Sequence, residues 1–280
     1  MLAVERDPVA GWRAELELGF ERRTDRTVLA RRRHDGPLVV QKPLYPEGDA
    51  VCHAIVVHPP AGIVGGDVLD CRVQLDAGAE VLLTTPGAGK WYRSAGPRAQ
   101  QRLAFDVAAG ACLEWLPQET IIFEGARAAL ESDIRLAPGA RYIGWEILCL
   151  GRTGSGERFT RGECALRSRL RIGQRSVWLE QGRIEAGGTR MRARAGLGGH
   201  SVSGTLIAAG APIDDALLAA CRTLVPGTGL GAVTRLPEIF VARILGDSSE
   251  AAKRYFTQLW ALLRPRVTGR DAVEPRIWRT

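Results

Sequence analysis

Five carboxylates sit where a soluble chain rarely puts them. Asp67, Glu114, Glu119, Glu146 and Glu180 each lie in or beside an apolar stretch, as in Gly144-Trp145-Glu146-Ile147-Leu148. A charge in such surroundings needs a partner or a metal. One chemistry that follows is ion pairing, with Arg93 and Arg152 as available guanidiniums. The other is a polar path through the protein, in which spaced carboxylates hold a divalent cation loosely and let it go. That is the opposite of the closed, tight shell of a structural metal site.

Asp67 ends the most unusual segment of the chain, His58-Pro59-Pro60-Ala61-Gly62-Ile63-Val64-Gly65-Gly66-Asp67. Pro fixes φ and Gly frees it, so a run this dense in both is a shaped loop. It lies between two strand-like segments and holds Asp67 at a defined place. At least one of Gly65 and Gly66 is expected to take a positive φ or to permit close backbone approach. His58, before two prolines, reads either as a structural residue or as a ligand or gate.

Other site chemistries fail on spacing. Thr84-Thr85-Pro86-Gly87-Ala88-Gly89-Lys90-Trp91 invites a phosphate-loop reading, but Thr84 stands where Gly is needed and Trp91 where a hydroxyl must bind magnesium. Gly62-Ile63-Val64-Gly65-Gly66 lacks the dinucleotide spacing. There are four histidines, and His53 and His58 share no helix that would present them together. No Gly-x-Ser-x-Gly elbow is present. Six cysteines are scattered without a Cys-x-x-Cys pair, so buried free thiols in a reducing compartment are expected rather than disulfides or a zinc site.

The totals narrow the class. The chain has 280 residues and a formal charge of +7, almost all from arginine. The arginines are spread along the chain, and the densest run, Arg31-Arg32-Arg33, has no interleaved aromatics. Solvated faces explain them first, an acidic protein partner next, nucleic acid last. No apolar run is long enough for a membrane span, and the first residues lack the features of a secretory signal, so a cytoplasmic location is expected.

The elements that must position these groups are mostly strands. From about residue 14 to 210 the period is two, as in Ala14–Phe20 and Asp70–Leu75, with Gly and Pro at the turns. A weak repeat runs through Val73–Val81, Phe105–Leu113 and Ile134–Tyr142. Each copy carries a Gly-Ala turn, and the glycines are 32 and 29 residues apart. Such a period points to stacked or coiled β-layers, solenoid-like, with an ordinary sandwich as the rival. Two α-helices are expected in a mixed C-terminal part, 211–280. One runs over 212–224. The other follows a capping box at Asp247–Glu250, carries a stripe of Tyr255, Phe256, Leu259, Trp260, Leu262 and Leu263, and stops at Arg264-Pro265. No linker divides the chain, so a single domain over 1–280 is expected.

Several of these segments, taken in order, resemble the urease accessory proteins of the UreD family, also called UreH. They are Gly36-Pro37-Leu38, Lys42–Glu47, His58–Asp67, Thr84–Arg93, Glu114–Ile121, Gly144-Trp145-Glu146, Leu150-Gly151-Arg152 and the tail Pro275–Thr280. One departure is Ala61, where the family pattern leads one to expect Gly.

The resemblance implies a chaperone rather than an enzyme. Family members join UreF and the GTPase UreG, and the assembly docks on apo-urease to insert nickel. Nickel(II) in transit is then the cargo, with no tightly bound cofactor, no nucleic acid and no membrane. Asp67, Glu119 and Glu146 lie in matching motifs and are the candidates for a transient nickel path. His58, Pro59, Pro60, Gly62, Gly65 and Gly66 form the candidate functional loop. Two rivals stand beside this reading. One is a β-structured hydrolase or lyase with an acidic site near Asp67 and Glu119. The other is a passive scaffold for UreF and urease that never touches nickel.

Overall fold

In a computed structural model of the chain, residues 11–279 are described. Strands β1 (Arg13–Arg23), β2 (Arg26–Asp35), β3 (Val39–Val40), β4 (Val51–Val57), β5 (Val68–Leu75), β6 (Glu80–Thr84) and β7 (Gly89–Trp91) come first. The middle of the chain gives β8 (Ala99–Val107), β9 (Cys112–Trp115), β10 (Thr120–Ile122), β11 (Arg127–Leu136) and β12 (Arg141–Leu150). Then follow β13 (Glu163–Ile172), β14 (Arg175–Glu185), the one-turn helix α1 (Thr189–Arg192), β15 (Val202–Ala209) and α2 (Asp215–Thr223). β16 (Leu230–Arg235), β17 (Ile239–Gly246) and α3 (Ser249–Thr268) complete the set.

The strands build two stacked sheets. One has the order β14-β13-β11-β8-β5-β1-β2, the other β16-β17-β15-β12-β9-β6-β4-β3. Each coil of chain gives one strand to each: β5 then β6, β8 then β9, β11 then β12. The turns between them carry the sequence repeat. Gly78, Gly110 and Gly139 all have φ between +73° and +80°, a region that suits glycine. The turns stack directly, since Gly78 N–H donates to Ala109 O and Gly110 N–H to Gly139 O. Parallel pairing keeps the same step: Val68 lies opposite Gln100, and Ala99 opposite Ala128. The expected β-solenoid is therefore present, with antiparallel hairpins β1–β2 and β13–β14 at the two edges of the first sheet.

There are two cores. Between the sheets pack Leu16, Leu18, Phe20, Val73, Phe105 and Leu113, among others. On the outer face of the second sheet, Ile143, Trp145, Ile147 and Cys149 meet α2 and α3. The stripe Tyr255, Phe256, Leu259, Trp260 and Leu263 is buried there, so α3 packs on the body. Leu262 was expected in that stripe but stays 36% exposed.

Two boundary expectations need correction. The N-cap of α3 is Ser248, whose Oγ accepts from Ala251 N–H, one residue later than a box led by Asp247. Asp247 instead accepts from His200 Nδ1 and from the Ser201 amide and hydroxyl. The helix also runs through Pro265 to Thr268, and Gly269 closes it at φ +76°. Burial of Arg264, Val267 and Thr268 holds a last turn that proline alone disfavours.

Candidate cation route between the sheets

The loop His58–Asp67 is built around Asp67, which is 4% exposed. Its Oδ1 accepts from Trp12 N–H at 2.8 Å and its Oδ2 from Val64 N–H at 2.9 Å. Gly66 takes φ +97°, while Gly65 does not take positive φ. A Cβ at Gly65 would meet Ser94 and come within 2.7 Å of Pro97 O. A Cβ at Gly62 would likewise run into the Tyr92 ring. Pro59 and Pro60 form the exposed turn that Ala61 N–H closes onto His58 O. Ala61 takes φ +58°, which gives a physical reason to expect Gly there. Asp67 thus spends its charge on two backbone amides, one from its own loop and one from Trp12.

His58 and the backbone around Gly62 line a cavity of about 280 Å³ between the sheets. Burial pushes the His58 imidazole down, and the nearby Asp67 offsets this in part. The segment that fails as a phosphate loop forms another wall, through Thr85 to Lys90. A second cavity, of about 380 Å³, lies toward β13, β14 and β17. Glu146 lines both.

Strand register explains its setting. Residues 142, 146, 148 and 150 of β12 point between the sheets, while Ile143, Trp145, Ile147 and Cys149 face α3. Across β12, β15 and β17 the row is Glu146, Thr205, Arg243. Leu103, Ser132, Ser168 and Glu180 form a row on the first sheet, and Ser168 and Glu180 reach the second cavity. Arg243 Nη1 donates to Glu180 Oε1 at 2.8 Å. No hydrogen bond or ion pair holds Glu146 among the described residues. Burial, with a smaller push from Glu180, raises its carboxyl to about 7.

The remaining acids go elsewhere. Glu119 lies half-buried between β9 and β10, on the α3 side of the second sheet, where its charge reaches Cys149 and Lys253. Lys253 donates to Gln118 Oε1 and lies 4.1 Å from the Trp278 ring centroid; burial pulls its ammonium down to about 8. Glu114 is locked to Arg264 at 3.0–3.1 Å and to Trp260 Nε1 at 2.6 Å. The same Arg264 holds Glu47, which also meets His53 at 2.6 Å. Arg93 and Arg152 pair none of the five acids; Arg152 binds Glu157 instead. Ion pairing therefore accounts for Glu114 and Glu180, backbone amides for Asp67, and neither for Glu146.

So the structure does not bring Asp67, Glu119 and Glu146 together, and no group of three metal-ligating side chains occurs among the described residues. Sequence reading missed Ser132, Ser168 and Thr205. The signal was a hydroxyl at an inward step of an apolar alternation, as in Leu166-x-Ser168-x-Leu170.

The family profile described as UreD urease accessory protein matches residues 13–279. The chain belongs to the UreD family. A "Urease accessory protein UreD" from Azoarcus sp. (strain BH72) is 56% identical over 272 residues, covering 96% of this chain and 95% of the relative. That of Dechloromonas aromatica (strain RCB) is 53% identical over 273 residues, with the same coverage. That of Pseudomonas aeruginosa PAO1 is 48% identical over 270 residues, again at 96% and 95%. These UreD relatives carry the name of an accessory protein, not of an enzyme. Like them this chain is an accessory protein, which removes the reading of a hydrolase or lyase at Asp67 and Glu119. All six cysteines are free and buried, as expected. No helix among the described residues is long and apolar enough to cross a membrane.

Proposed function

We propose that this chain, in the cytoplasm and together with UreF and UreG, delivers nickel(II) to apo-urease, and that the ion passes between the two sheets. One observation carries the proposal: Glu146 is a half-buried carboxyl with no hydrogen bond or ion pair among the described residues, and it lines both inter-sheet cavities. A carboxyl in that position costs stability unless it serves something. A lone carboxylate near hydroxyls such as Thr205 and Ser168 would hold a divalent cation weakly, and weak ligation is what a cargo that must leave requires. Glu180, held by Arg243, gives a second oxygen-bearing group further along. Asp67 supports the loop at the first cavity rather than the ion, and Glu119 lies off the route.

The test is Glu146→Gln, which keeps size and drops charge. The variant is co-expressed with apo-urease, UreF and UreG at limiting nickel. Urease nickel content and activity should fall while co-purification of the assembly stays intact. Normal nickel loading would favour the passive-scaffold reading instead.

A further inference from the structure

The outer face of the first sheet carries a groove that plays no part in the route between the sheets. Its floor is Ala129 on β11 and Ala165 on β13, which are register partners. Their small side chains leave a shallow trough of about 640 Å³, flanked by Arg167 and Arg183. At one end Glu163 is 3% exposed, and three guanidiniums converge on it. Arg98 approaches at 2.6 Å, Arg127 at 3.0 Å, and Arg183 reaches its second oxygen.

Arg183 also meets Glu185 at 3.4 Å, so two carboxylates face three guanidiniums and the cluster holds one positive charge in excess. The two carboxylates offer about eight acceptor sites against about fifteen N–H donors. The arginine side chains remain 37%, 42% and 54% exposed, so they keep spare donors toward solvent, and Arg183 lines the trough itself. Glu163 also fixes them in place, which lowers the entropy lost when they grip an anion. Glu131, the one acid lining the trough, lies opposite Arg102 and Arg167 in the sheet and does not cancel this excess.

We propose that this groove binds an acidic, extended segment of a protein partner, with a carboxylate of that segment seated on Arg98, Arg127 and Arg183. A forked guanidinium matches a carboxylate in two parallel hydrogen bonds. The alanine floor leaves room for a backbone. Nucleic acid fits less well. The arginines converge on a point instead of tracking a backbone, and no aromatic lines the trough to stack a base.

The probe is a fluorescein-labelled decapeptide of alternating Glu and Ser, titrated with the full-length chain at low and at physiological salt. Saturable binding that weakens with salt is expected. It should weaken at least about tenfold in the combined variant Arg98→Gln, Arg127→Gln, Arg183→Gln. Because that variant strands Glu163, Ala165→Glu is the second arm. It leaves the arginine cluster intact, fills the floor with a carboxylate of its own, and should weaken binding as much. The control, Arg31→Gln with Arg32→Gln and Arg33→Gln, removes the same charge from edge strand β2 and should bind like the unchanged chain. The proposal is overturned by no peptide binding, by full binding in Ala165→Glu, or by equal loss in the control. Tighter binding of a ten-nucleotide DNA, lost in the same variants, would overturn it in favour of nucleic acid.

Discussion

Glu146 ties stability to pH through one group. Its carboxyl titrates near 7 in the folded chain, mainly through burial, against a usual value of 4.5. Below the unfolded value both states are protonated and nothing is lost. As pH rises through 4.5 toward 7 the unfolded chain gives up its proton first, so the folded state loses stability. Glu146→Gln should therefore change little at pH 4.5 and gain roughly 1–3 kcal/mol at pH 8. Urea unfolding at the two pH values measures this. In the loop, Ala61→Gly should stabilise by about 1 kcal/mol, because alanine occupies a left-handed backbone position there. Gly66→Val, at φ +97°, should cost about 1–3 kcal/mol. Circular dichroism melts check both, and urease activation should fall further than stability for the Val variant if the loop serves function. The loop's importance was legible in its Pro and Gly content. That Asp67 serves two backbone amides was not, because one of them, that of Trp12, is far away in sequence.

Among the elements, α3 concentrates what holds the layers together. Trp260 is fully buried, so Trp260→Ala should cost about 3–5 kcal/mol. Arg264, 0% exposed, ties the helix to Glu114 on β9 and to Glu47 before β4. Removing it as Arg264→Ala strands two carboxylates and should cost about 3–5 kcal/mol. The network also sets the acid limb of stability. Burial raises the Glu47 carboxyl, but hydrogen bonds from His53 and Arg264 outweigh that and hold it at about 2. Its contribution is present above the usual 4.5 and is lost as pH falls from there toward 2. Acid unfolding of the Glu47→Gln variant should lose that part of the pH dependence. The apolar stripe of α3 was readable from helical spacing. Its last turn was not, because Pro265 argues for a stop, whereas the burial of Arg264 and Val267 overrides it.

At the level of the whole molecule, parallel coils bring distant segments into register, and the turn glycines set the step. Gly110 sits in the middle of the stacked turns at φ +73°. Gly110→Ala should cost about 1 kcal/mol, read as a lower urea midpoint at unchanged slope. Sequence alone determined a mainly β body and favoured stacked coils over an ordinary sandwich. Period-two alternation gives the strands, and three Gly-Ala turns at nearly equal steps point to strands that repeat and stack; the stacked turn hydrogen bonds of the structure decide it. Sequence also determined the family, through motifs whose order spans most of the chain. Only the tertiary structure decided which acid does what. Alternation assigns a side chain to one face or the other, but the second sheet is covered on both faces, by the first sheet and by α3. Glu146, between Trp145 and Ile147, and Glu119, two residues before Ile121, each adjoin an apolar stretch, which does not say which face either takes. Packing put one in the space between the sheets and the other beneath a helix. That difference arises from contacts between residues far apart in sequence, such as Glu146 with Glu180 and Glu119 with Lys253, which no local pattern encodes.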